Sequence, residues 1–111
     1  MKSVNSKFSI GTANFDNAYG LNQKKFSKKK IKELVSFLRK KNITHLDTAI
    51  SYGNTQKFLG ESDLKRFNVT SKINIRNVNI NNLEKYIYRK LRITLKELKI
   101  KKLFALLLHD E

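Results

Sequence analysis

Residues 80–108 read INNLEKYIYRKLRITLKELKIKKLFALLL, and two periodicities meet there. Ile80, Leu83, Ile87, Leu91, Leu95 and Leu98 recur every three or four residues, which marks one face of a long helix. Leu103-Phe104-Ala105-Leu106-Leu107-Leu108 follows, apolar without a break over six residues. A strand buried on both faces, as in a parallel sheet, reads this way because neither face alternates with solvent. A helix running into such a strand predicts an α/β chain.

Working outward toward the N-terminus, Phe67-Asn68-Val69-Thr70-Ser71 is β-rich and ends at Lys72. Before it lies a short helix around Thr55 to Leu59, closed by Gly60. Ile43-Thr44-His45-Leu46 reads as a strand, followed by a loop from Asp47 to Gly53. Ser27 is a suitable helix N-cap, and Ile31, Leu34, Val35 and Leu38 follow at helical spacing. Lys28-Lys29-Lys30 falls on the polar face of that helix, as a solvated face would have it. Asn42 ends the helix in the left-handed conformation, which Asn tolerates well. Phe8-Ser9-Ile10 is a first short strand that stops at Gly11. The order is β-α-β-α-β-α-β, and strict alternation implies parallel strands joined by right-handed helical crossovers. An open three-layer sheet and a (β/α)8 barrel both satisfy it.

Composition narrows the class. The chain has 111 residues, room for one small domain, and 40% of them are hydrophobic, enough for a core. It lacks cysteine, and His45 and His109 stand without ligand spacing, so no metal site is expected. A formal net charge of +15 suggests nucleic acid or an acidic membrane surface. Yet lysine dominates over arginine and is scattered along the chain, whereas base readout favours the bidentate guanidinium. Compositional drift explains the charge better; a small basic nucleic-acid-binding protein is the alternative. The N-terminus lacks a signal-peptide core, and the longest apolar run is far short of the ~20 residues that span a bilayer. The chain reads as soluble and cytoplasmic.

Asp47, Tyr52, Lys72 and His109 lie at or just beyond the predicted C-terminal ends of successive strands. Each alone has an ordinary explanation as a cap, a packing aromatic, a surface lysine or a structural histidine. In a (β/α)8 barrel, however, all four would converge on the face where such enzymes place their active sites.

The neighbouring words are Gly11-Thr12-Ala13-Asn14-Phe15, Tyr19-Gly20, Leu46-Asp47-Thr48-Ala49 with Tyr52-Gly53, Leu59-Gly60, Thr70-Ser71-Lys72 and Leu106-Leu107-Leu108-His109. In that order they resemble the early motifs of the aldo-keto reductase family, over almost the whole chain from Gly11 to His109. All four glycines fall inside them. The resemblance implies a partial (β/α)8 TIM barrel of about four β/α units, with residues 1–111 as its N-terminal half. It implies an NADP-dependent oxidoreductase acting on a small-molecule aldehyde or ketone, without specific nucleic-acid or membrane partners. The family's tetrad carries over onto Asp47, Tyr52, Lys72 and His109. Tyr52 is then the proton donor, Lys72 stabilises the phenolate, Asp47 holds Lys72, and His109 orients the substrate oxygen. Gly11, Thr12 and Asp47 are the implied cofactor-binding positions, with Gly11 and Thr12 under the nicotinamide end. Asn42 stands where the family commonly has Gly, and Ser71 where it commonly has Thr or Ala. A complete barrel needs at least ~200 residues. The resemblance therefore implies a fragment lacking the residues that stack on nicotinamide and hold the 2′-phosphate, and inactive alone. A catalytically dead remnant of the fold is a further alternative. An open half barrel leaves its first and last strand edges unpaired, which favours self-association.

Overall fold

Four strands form one parallel sheet: β1 (Ser9–Gly11), β2 (His45–Asp47), β3 (Asn68–Ile73) and β4 (Ala105–Leu108). Three helices connect them, α1 (Lys28–Lys40), α2 (Thr55–Gly60) and α3 (Leu83–Leu98), the last preceded by a 3-10 turn, Ile80–Asn82. The structure is a computed structural model that describes residues 7–16 and 26–110. The Tyr19-Gly20 motif lies outside the described residues.

The strand order is β1-β2-β3-β4, the order of the chain itself. An open doubly wound sheet reverses direction at a switch point. This sheet does not reverse, so each unit is added on the same side of the last, as in a (β/α)8 barrel. The fold is a partial (β/α)8 barrel, and the three-layer alternative is set aside.

Register decides which side chains share a face. Ile10 pairs with Leu46 and Leu46 with Val69, and these residues pack into one core with Ile31, Val35, Leu38, Leu59 and Leu98 of the helices. The opposite face carries Gly11, Asp47, Thr70 and Ala105 in one paired row, with Lys72 and Leu107 one step further along. Successive strand residues alternate faces, so the apolar helical side and the polar inner side separate cleanly on β1 to β3.

Local signals act as their chemistry dictates. Ser27 caps α1, its hydroxyl accepting the Lys30 amide at 3.1 Å. Asn42 takes φ 58°, ending that segment left-handed. Gly60 does not close α2; it lies inside the last helical turn, and Glu61 caps it in an ordinary right-handed conformation. What position 60 requires is space, because a Cβ there would lie 2.0 Å from the Glu97 carbonyl oxygen. Lys72 falls inside β3 rather than at its end, since the strand continues to Ile73.

The largest departure is β4. The expected strand buried on both faces is instead an edge, with Leu107 49% and Leu108 70% exposed. Continuous apolarity reports an environment meant to be covered; among the described residues nothing lies beyond β4 to cover it. No described helix is long and apolar enough to cross a membrane.

Candidate active site

Asp47 is the last residue of β2, and its backbone is held from the β1 side. The Thr12 amide and hydroxyl both donate to the Asp47 carbonyl, at 2.9 and 3.0 Å. Thr12 is fully buried, so its side chain serves to fix Asp47 rather than to face the open side of the sheet. The carboxylate stays accessible, with the Asp47 side chain 43% exposed. It pairs with the Lys72 ammonium, which projects from the same face of the neighbouring strand. That ammonium also donates to the Thr48 carbonyl at 2.9 Å. Two acceptors from one strand end therefore aim Lys72, whose side chain is only 16% exposed.

The loop after β2 is bound to β3 by backbone. The Thr48 amide donates to the Thr70 carbonyl at 2.9 Å, and the Ile50 amide to the Lys72 carbonyl at 3.1 Å. Tyr52 follows at a tight turn, its amide donating to the Ala49 carbonyl at 3.1 Å. Gly53 then takes φ 58°, a conformation costly for a residue with a Cβ, and this lets the chain enter α2 directly. The turn folds Tyr52 back: the Lys72 ammonium lies 5.3 Å from its ring centroid, over the ring. A cation over an aromatic face is drawn to the negative ring quadrupole. His109 follows β4, its amide donating to the Ile73 carbonyl at 2.9 Å. Its ring meets the Tyr52 ring edge-on, centroids 5.9 Å apart at 85°.

Asp47, Tyr52, Lys72 and His109 thus occupy one small volume at the C-terminal mouth of the sheet. The second histidine, His45, sits at the opposite end of β2 and packs edge-on against Phe104, centroids 5.6 Å apart. Gly11 lies in the row beside Asp47. Neither conformation nor packing explains this glycine: its φ is not left-handed, and an added Cβ would meet nothing within 4 Å. The result is a flat, open floor beside the tetrad.

Three supports escaped sequence reasoning. Asp16 accepts the Asn54 amide at 2.6 Å, capping the start of α2, where the Asn54 side chain makes no cap. The Thr48 carbonyl holds Lys72, as described. Gln56 of α2 is 2% exposed and bonds Ser71 of β3 at 2.6 Å. Asp16 had one readable cue, a carboxylate in the loop five residues beyond the strand-end Gly11; a backbone carbonyl leaves none.

No family model matches the chain, and neither does any curated protein. Solved structures do match. One, a provisionally assigned aldo-keto reductase from Pseudomonas aeruginosa, aligns with TM-score 0.75 and 21% identity over 93% of this chain and 42% of its own. A second structure of that assignment from the same organism aligns with TM-score 0.71 and 19% identity, over 93% of this chain and 41% of its own. At such identity the likeness establishes the fold. The chain spans less than half the length of these structures.

Proposed function

We propose that this chain carries the acid–base half of an aldo-keto reductase site, and that within a complete barrel it reduces an aldehyde or ketone with NADPH. One observation carries the reading: a lysine ammonium, paired to an aspartate, lies over a tyrosine ring that also meets a histidine edge, all at one barrel mouth. Reduction of a carbonyl needs two electrons with a proton on carbon and a second proton on oxygen. NADPH, when bound, supplies the hydride. Tyr52 donates the proton to oxygen, and solvent later returns one to it. A phenol is a sluggish acid near neutral pH, so the departing proton must leave behind a stabilised anion. The Lys72 charge provides that stabilisation, and Asp47 with the Thr48 carbonyl keeps the ammonium aimed. His109 donates to the substrate oxygen and orients it.

The residues present fit the nicotinamide end of the cofactor. Gly11 leaves room for a flat ring beside Asp47, with no other described demand for glycine there. Thr12 contributes through Asp47. On this reading the cytoplasm is the compartment, the positive charge is drift, and any duplex DNA binding is independent of sequence and collapses with salt.

The test is a fusion of this chain to a complementary C-terminal half barrel. Turnover of a simple aldehyde should appear, and Tyr52→Phe should lower kcat by about a hundredfold or more, the usual weight of general acid catalysis. NADPH affinity should stay nearly unchanged. A Tyr52→Phe fusion retaining most of its turnover sinks the assignment. The chain alone should bind NADPH weakly or not at all by fluorescence titration, because it covers only 42% and 41% of the two structures it resembles.

A further inference from the structure

Gln56 is a polar side chain buried among three elements. Its amide oxygen accepts the Ser71 hydroxyl at 2.6 Å. Its amide nitrogen donates to Glu97 Oε2 at 3.2 Å and reaches Thr94 Oγ1 at 3.5 Å. Ser71 and Thr94 are fully buried with it. A buried amide is costly unless its hydrogen bonds are made, and an apolar residue of similar volume could fill the same space. The amide must therefore do something that apolar packing does not.

Its place in the chain says what. Gln56 lies four residues beyond Tyr52, whose carbonyl accepts the Thr55 amide at 3.0 Å and so opens α2. Ser71 immediately precedes Lys72. The Gln56–Ser71 bond ties α2, which begins three residues after Tyr52, to the strand carrying the lysine. Hydrophobic contact is non-directional and tolerates sliding of a one-and-a-half-turn helix across a sheet; hydrogen bonds have preferred angles and fix register. Thr94 and Glu97 anchor the other side of the amide to α3, beside the close approach of Gly60 to the Glu97 carbonyl.

We propose that Gln56 is a positioning residue, whose amide bridge from Ser71 to Glu97 holds the Tyr52 ring in register with the Lys72 ammonium and His109. Its functional meaning rests on the reductase reading, but the geometry is tested without turnover, so failure here and failure of the Tyr52→Phe fusion are distinct results. Gln56→Met, closest in shape, removes the bridge. Native-state hydrogen exchange on the 111-residue chain should show the Ile50 amide, bonded to Lys72, exchanging at least tenfold faster. The nuclear Overhauser effect between the Tyr52 and His109 rings should weaken with it. Exchange at Val35, in the core of α1, should change by less than threefold. Ser71→Ala should produce the same pattern, and the double variant less than the sum of both, as for two ends of one bond. Equal acceleration at Ile50 and Val35 would mean general destabilisation and overturn the proposal, as would an unchanged ring contact. If Gln56→Met does not fold, Ser71→Ala is read by the same two signals; if neither folds, the bridge is structural and the proposal is overturned.

Discussion

Helices α1 and α3 are written in the same pattern and end in opposite environments. Ile31, Val35 and Leu38 of α1 are between 0 and 3% exposed. In α3 and its leading turn the stripe of Ile80, Leu83, Ile87 and Leu91 forms an apolar groove open to solvent, and only Thr94 and Leu98 are buried. Ile80 is 82% and the neighbouring Tyr88 57% exposed. The difference is what faces the stripe, since α2 flanks both helices. Ile31, Val35 and Leu38 of α1 pack into the core with Leu46, Leu59 and Val69, whereas of the α3 stripe only Leu98 joins that core among the described residues. A complete eight-unit barrel flanks every helix twice. Periodicity marks which face of a helix is apolar, and topology decides whether anything covers it.

Truncating the covered stripe should cost most. Ile31→Ala should lower unfolding free energy by about 2–5 kcal/mol, the range for a fully buried isoleucine that leaves a cavity, read from the urea midpoint. A loss below about 1 kcal/mol would break the comparison at its covered end. Next comes the junction between the covered and open regions. Gly60→Ala should cost roughly 1–3 kcal/mol, because its Cβ would strike backbone of α3 that no rotamer can move aside. Lys99 ends α3 at φ 55°. There the left-handed conformation penalises a side chain, so Lys99→Gly should stabilise by up to about 1 kcal/mol. Smallest is the open end itself. Ile80→Ala should stay within about 0.5 kcal/mol, as exposed substitutions do. A larger loss that grows with protein concentration would show the groove covered by self-association. Sedimentation velocity with Leu108→Lys, which charges the exposed β4 edge, should then return the chain to monomer.

Much of the fold was legible because its signals are local. Ser27 and Asn42 cap and stop α1 through their own chemistry, and helix periods hold for α1 and α3 alike. The strand ends were readable too, to within a residue or two: Asp47, expected just after its strand, is its last residue, and Lys72, expected to end its strand, lies one residue inside it. The run from Leu103 to Leu108 misled for a definite reason. It reports hydrophobicity, and an edge strand with an exposed Leu108 has the same composition as a central one.

What the sequence by itself determined is the set of pieces: four strands, three helices, the faces that are apolar, and four ionisable or aromatic residues near strand ends. Those follow from side chains within about four positions of one another, where sterics and hydrogen bonding act along the chain. The family resemblance implied that Asp47 holds Lys72, 25 positions away; the tertiary structure alone decided that Gln56 joins Ser71 at 15 and Glu97 at 41, and that the stripe of α1 is covered while most of that of α3 is not. Contacts at such separations depend on strand register and on which unit is added next, and both are set by the packing of the whole sheet.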